Sequence, residues 1–159
     1  MIPTSVDIAR LLADAFERNG IDYAIGGALA LGYYATPRAT VDVDINVFVP
    51  VASGLPQALR VLASVGFEPD DPTTLETTAT QDGQFRGRVS GVRVDVFVPA
   101  IEFYAALNER KRLVTLLDRP IHILGPEDLL VLKLMFFRRK DVADAEAVLL
   151  GGEPLDLDR

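Results

Sequence analysis

The sequence predicts an α+β fold, a β-sheet flanked by helices, from three observations. Helical and strand-like hydrophobic periods both occur along its 159 residues, a length that suits one compact domain. The strand-like segments include a β-branched run at 41–49 and a pair at 84–88 and 92–98 around Ser90-Gly91. The chain then closes on helical stretches after Gly125.

Each element has its own local cause. Ser5 is read as the cap of an amphipathic helix carrying Ile8, Leu11, Leu12, Ala15 and Phe16, stopped by Asn19-Gly20. A short apolar strand, Tyr23-Ala24-Ile25, leads through Gly26-Gly27 into a helix that begins with Ala28. That helix is expected to stop near Thr36-Pro37, because the residue before proline is pushed out of the helical region. After the 41–49 strand, Pro50 and Gly54 punctuate, and 55–65 reads as a helix closed by Gly66. The Asp-, Pro- and Thr-rich residues 70–81 read as a loop. A helix at 101–111 precedes a second hairpin, 113–117 with 121–124, around Asp118-Arg119-Pro120. Gly125-Pro126-Glu127-Asp128 opens a helix through Leu129, Leu130, Leu132, Lys133 and Phe136. A last helix over 141–150 ends at Gly151-Gly152. The expected organisation is therefore one domain, 1–159, with a core of about 4–124, C-terminal helices over about 125–150 and a loose tail at 151–159.

Composition excludes several function classes. With no cysteine and one histidine, thiolate and imidazole metal sites are out, so any divalent ion must be held by oxygen. His122, in the apolar 121–124 stretch, is read as a packed strand residue. The formal charge of −7 opposes polyanion binding over the whole surface. Three basic clusters (Arg86, Arg88 and Arg93; Arg110 to Arg112; Arg138 to Lys140) are read first as solvated surface, with a local basic face as the alternative. No run of about 18 apolar residues could span a bilayer. The opening Met-Ile-Pro-Thr-Ser-Val-Asp has neither the basic nor the apolar region of a secretory signal, so the expected protein is soluble and cytoplasmic.

Three aspartates interrupt strands that are otherwise apolar: Asp42, Asp44 and Asp95. Strand alternation aims Asp42 and Asp44 at the same face, where two like charges raise each other's cost of ionisation. A divalent ion with oxygen ligands, such as Mg²⁺, would relieve that repulsion, and Asp95 on a neighbouring strand could complete the site. Two carboxylates would then grip metal-bound triphosphate, and the third would draw the proton from an attacking hydroxyl. Gly26-Gly27 would let the backbone approach phosphate at a helix start. The plainer alternative is an edge strand whose acidic face meets water.

The series Ile25-Gly26-Gly27-Ala28, then Arg38-Ala39-Thr40-Val41-Asp42-Val43-Asp44, then Val94-Asp95-Val96 resembles the DNA polymerase β-like nucleotidyltransferase superfamily. The close of the chain, with Gly125 to Leu130, Lys133-Leu134, Arg139-Lys140-Asp141 and Asp144, resembles its AbiEii/MenT-like branch. The resemblance implies a polymerase β-like nucleotidyltransferase fold with a mixed β-sheet. It implies that Gly26 and Gly27 contact the triphosphate, that Asp42, Asp44 and Asp95 are catalytic metal ligands, and that Asp95 is the base. It implies nucleotide-binding roles for Arg38, Thr40 and Lys133, and a C-terminal family acid of unassigned role at Asp144. Ala28 departs from the serine that many members carry there. The implied activity is Mg²⁺- or Mn²⁺-dependent transfer of a nucleoside monophosphate from a nucleoside triphosphate (NTP) to a hydroxyl on RNA, a protein or a small molecule. The branch also implies a cognate antitoxin or toxin partner. The alternative is a catalytically silent member that binds nucleotide or a partner. At this size the acceptor groove is expected to be shallow or completed by a second subunit of a homodimer.

Overall fold

The computed structural model describes residues 2–37, 39–136 and 138–156. Its frame is a seven-stranded sheet built on a run that needs both of its faces. In β2 (Asp42–Val47) Val43, Ile45 and Val47 are buried on one side, and Asp42, Asp44 and Asn46 alternate to the other. The strand lies between β1 (Tyr23–Ile25), antiparallel, and β5 (Val92–Phe97), parallel. β5 pairs antiparallel with β4 (Gln84–Val89) through the Ser90-Gly91 turn, both of whose residues have positive φ. β3 (Glu68–Pro69) forms a two-residue stub beyond β4. On the other side β1 pairs parallel with β7 (Arg119–Ile123), which pairs antiparallel with β6 (Arg112–Leu116). The order is β3-β4-β5-β2-β1-β7-β6, a mixed sheet.

The apolar face is closed by α1 (Ser5–Arg18) and α3 (Val51–Ser64). Ile8, Leu12 and Phe16 recur every fourth residue and are all within 2% of complete burial, so one stripe of α1 enters the core. Among the described residues no helix is long and apolar enough to cross a membrane.

Several sequence expectations need correction. Thr4, not Ser5, caps α1. Its hydroxyl accepts from the Asp7 amide at 3.2 Å while the Asp7 carboxylate accepts from the Thr4 amide at 2.8 Å, a reciprocal capping box. Ser5 instead donates its hydroxyl to the Thr40 carbonyl at 3.0 Å, pinning the approach to β2. The expected loop at 70–81 contains α4 (Leu75–Asp82), stopped by left-handed Gly83. Only Leu75 and Ala79 of this helix are buried, so its threonine-rich sequence carries little periodic signal. α2 (Gly27–Leu31) is shorter than expected and yields to turns well before Pro37. α3 starts at Val51, with Gly54 inside it rather than ahead of it. The β6–β7 turn is made by Leu117 and Asp118, both with positive φ, and Pro120 lies within β7.

α5 (Glu102–Arg110) is followed, after the second hairpin, by α6 (Pro126–Phe136) and α7 (Arg139–Leu150), which pack on each other. Arg110 grips the buried Asp128 with Nε at 3.0 Å from both carboxylate oxygens and Nη2 at 2.7 Å from one. Two contacts reach back from the described part of the segment after α7. Glu153 pairs with Arg112, and the Asp156 amide donates to Glu127 at 2.9 Å.

Candidate active site

Where β1 ends, the chain must turn across the face that carries the acids of β2. Gly26 is extended and donates its amide to the Asp44 carbonyl at 2.9 Å. Gly27 then takes a φ of 57°, the left-handed region that favours glycine. A Cβ there would stand 2.8 Å from Asp44 Cγ and overlap the carboxylate itself. The Gly-Gly pair is therefore what lets α2 begin directly against Asp44.

Register does the rest. Asp44 and Asp95 are direct partners across the parallel β2–β5 pair, and Arg86 of β4 is the partner of Asp95 on its other side. Burial, and next the negative charge of Asp95 with the hydrogen the two carboxyls share, push Asp44 up to about 6. Lys133 opposes this rise and Asp42 adds to it. Arg86 Nε donates to Asp95 at 2.6 Å, and Arg93 Nε lies 3.8 Å from the same oxygen. Arg93 Nε is buried and has no hydrogen-bond partner among the described residues.

Lys133 comes from α6, and its Nζ is 3.0 Å from Asp144 and 3.4 Å from Asp141, two buried carboxylates of α7. Burial raises the Asp141 pKa, but bonds from the Arg138 side chain and amide, with the Lys133 charge, carry it below its ordinary value. Arg138 Nε reaches Asp141 at 2.7 Å, and the charges of Asp44 and Asp95 help raise its own pKa. Lys133 and Arg138 border a cleft of about 520 Å³ on the polar face of the sheet, within the range of small-ligand sites. Its wall includes Gly26, Gly27, Asp42, Asp44 and Asp95 together with Arg86, Arg93, Lys133, Arg138 and Lys140.

No protein-family model matches the sequence, and no curated protein matches it. Solved structures do. The antibiotic-resistance factor ANT(2'')-Ia is similar with a TM-score of 0.67 at 14% identity, covering 93% of this chain and 84% of that one. An antigenic nucleotidyltransferase-like protein from Paracoccidioides brasiliensis gives 0.61 at 22% identity, over 91% and 73% of the two chains. The lincomycin-bound lincosamide antibiotic adenylyltransferase LnuA gives 0.60 at 13% identity, over 94% and 98%. The fold is the polymerase β-like nucleotidyltransferase fold.

On this nucleotidyltransferase fold the sequence-predicted residues gather unevenly. Gly26, Gly27, Thr40, Asp42, Asp44, Asp95 and Lys133 all border the cleft. Thr40 shares a hydrogen-bonding distance of 3.3 Å with the Asp42 backbone, so its hydroxyl also shapes the entry to β2. Asp144 stands behind Lys133. Arg38 lies outside the described residues. Tyr34 is buried, donating to the Leu124 carbonyl at 2.9 Å, and Tyr33 donates to Thr115, so neither enters the cleft wall. His122 packs edge-to-face on Tyr23, and burial lowers its pKa.

Sequence reasoning missed Asn46, 3% exposed and next on the acidic face after Asp44, which strict alternation could have found. It also missed Arg86, Arg93, Arg138 and Lys140. Their clustering was the available signal, and reading them as solvated surface left out that strand pairing and the α6–α7 contact turn them toward one cleft.

Proposed function

We propose that this chain is a metal-dependent nucleotidyltransferase that moves a nucleoside monophosphate from an NTP to a hydroxyl acceptor. The observation that carries this reading is the facing of Asp44 and Asp95 across paired strands, in a cleft that starts at Gly26-Gly27 and is ringed by cations. Among the described residues no three acids or histidines converge closely enough to hold a metal as they stand, and Asp95 is engaged by Arg86. The donor chemistry nonetheless fits: the oxygens are hard, and the burial and like charge that press on the Asp44 carboxylate are what a divalent cation offsets. Asp42, Asp44 and Asp95 would hold Mg²⁺ or Mn²⁺, which when bound neutralises charge on the phosphates.

The chain's own residues would do the remainder. Arg93, with its orphaned Nε, and Lys133, Arg138 and Lys140 would bind the triphosphate, while the Gly26-Gly27 turn lets it approach the backbone. Arg38 and Thr40 would flank it. Asp95 would accept the acceptor's proton as that oxygen bonds to the α-phosphorus. The bond from this phosphorus to the bridging oxygen breaks, and pyrophosphate leaves with the electron pair. Asp144 would orient Lys133. The branch reading, with a toxin or antitoxin as partner, rests on the pattern over 125–144.

The test is incubation with each α-labelled NTP, Mg²⁺ or Mn²⁺ and mixed acceptors. Labelled product is expected from the native chain and none from Asp44→Asn. Full transfer by Asp44→Asn would sink the assignment. The Arg86–Asp95 ion pair favours a second reading, a silent nucleotide- or partner-binding module. That reading predicts NTP binding without transfer under every acceptor.

A further inference from the structure

The stub β3 stops at Pro69, and only the Asp70 amide continues its pairing, donating to the Arg86 carbonyl at 3.0 Å. The outer edge of β4 therefore has no strand partner around Gln84, and α4 packs beside it. Between them lies a second hollow of about 300 Å³, distinct from the cleft. Leu75 and Phe85 give it an apolar side, and Thr74, Thr78 and Gln84 offer hydroxyls and an amide. Its inner end is formed by Arg86 and Asp95, which also border the cleft.

The two hollows differ in sign. The cleft wall holds five cations against three carboxylates. In the second hollow Arg86 is the sole cation lining it among the described residues, against Asp70, Asp71 and Asp95. Bonds from Thr73 and Thr74 hold the Asp71 carboxyl below the usual range, so that charge persists.

We propose that the hollow between β4 and α4 is the acceptor pocket, and that the acceptor is a small hydroxyl-bearing amine. This rests on the nucleotidyl-transfer reading. In-line transfer needs the two substrates on opposite sides of the reacting phosphorus, with the acceptor oxygen at the base. Asp95 is that base, and this hollow reaches it from the side away from Gly26-Gly27. Its volume suits one sugar-sized group, and its charge disfavours a polyanion while attracting an ammonium group. Arg86 is the partition: held on Asp95 at 2.6 Å, it separates the two substrates until both are present.

The experiment uses the full chain with Mg²⁺ and α-labelled ATP, and three acceptors of one size and different charge: glucosamine, glucose and gluconate, with mixed tRNA beside them. Label is expected on glucosamine at about ten times the rate on glucose, with none on gluconate or tRNA. Thr78→Trp, which fills the hollow, should raise the KM for glucosamine about tenfold and leave the Kd for Mg²⁺·ATP unchanged. Asp70→Lys, on the exposed rim, should shift the preference toward gluconate and guards against a Thr78→Trp variant that fails to fold. Amide shifts at 74–78 and 84–86 on adding glucosamine report pocket occupancy without chemistry. Preferred labelling of tRNA, equal labelling of the three sugars, or ATP binding with neither label nor amide shifts overturns the pocket. Absence of Mg²⁺·ATP binding overturns the nucleotidyl-transfer reading instead, and the amide shifts then judge the pocket alone.

Discussion

A side chain at position 27 would need to tolerate a φ of 57° and to share space with the Asp44 carboxylate. The backbone alone costs alanine about 1–2 kcal/mol there, before any overlap. Gly27→Ala is therefore expected to lower the Tm by roughly 2–8 °C and to weaken NTP binding, read by thermal denaturation with and without nucleotide. Asp44 supplies a second prediction. Its pKa is about 6 in the folded chain against an ordinary 3.8, so between those values the folded chain holds a proton that the unfolded chain has lost. Metal-free stability should thus fall as pH rises from about 4 to 6, and Asp44→Asn should flatten that decline. Because a cation must displace the same proton, Mg²⁺ affinity measured by calorimetry should drop below about pH 6, with proton release on binding. A pH-independent affinity across that range contradicts the assignment. The facing of Asp42 and Asp44 was legible from alternation alone, because a strand's period is local. The partnership of Asp44 with Asp95 and Arg86 was not, because register between distant strands is set by packing that no short window contains.

At the scale of elements, α6 and α7 meet through charge. Asp141 is fully buried and serves Lys133 of α6 while accepting from the Arg138 amide and side chain at the start of α7. Asp141→Asn removes the negative charge from two cations, and the loss expected is about 2 kcal/mol of stability. It should also raise the KM for NTP more than it lowers kcat, since Lys133 loses one of its two anchors. A denaturant titration beside steady-state kinetics separates the two effects. From the sequence Asp141 stood only within the closing pattern that resembles the AbiEii/MenT-like branch, and an acid at a helix start ordinarily serves the dipole. Helix positions with strong periodicity were legible, as α1 shows with Ile8, Leu12 and Phe16. α4 was not, since two buried side chains among threonines look like a loop, and β3 is too short to leave a pattern.

Over the whole molecule, a chain of net charge −7 collects five cations around one cleft. Attraction of a triphosphate is then local, while the surrounding field opposes it, and added salt screens both within about 10 Å at 0.1 M. The cleft cations are nearer, so NTP affinity is expected to weaken with ionic strength between 50 and 500 mM KCl, measured by titration at constant pH; strengthening would mean that the phosphates do not contact them. The likeness to solved nucleotidyltransferases extends over 93% of the chain at 14% identity, so what persists is the layout of the sheet and its helices and not particular side chains.

Arg86 and Asp95 stand where the two hollows touch. On the proposed transfer reading, a resting molecule would keep its proton acceptor occupied by its own guanidinium, out of reach of a stray water. Nucleotide arriving alone would be held rather than wasted, and idle turnover would stay low until a second guest loosened that grip.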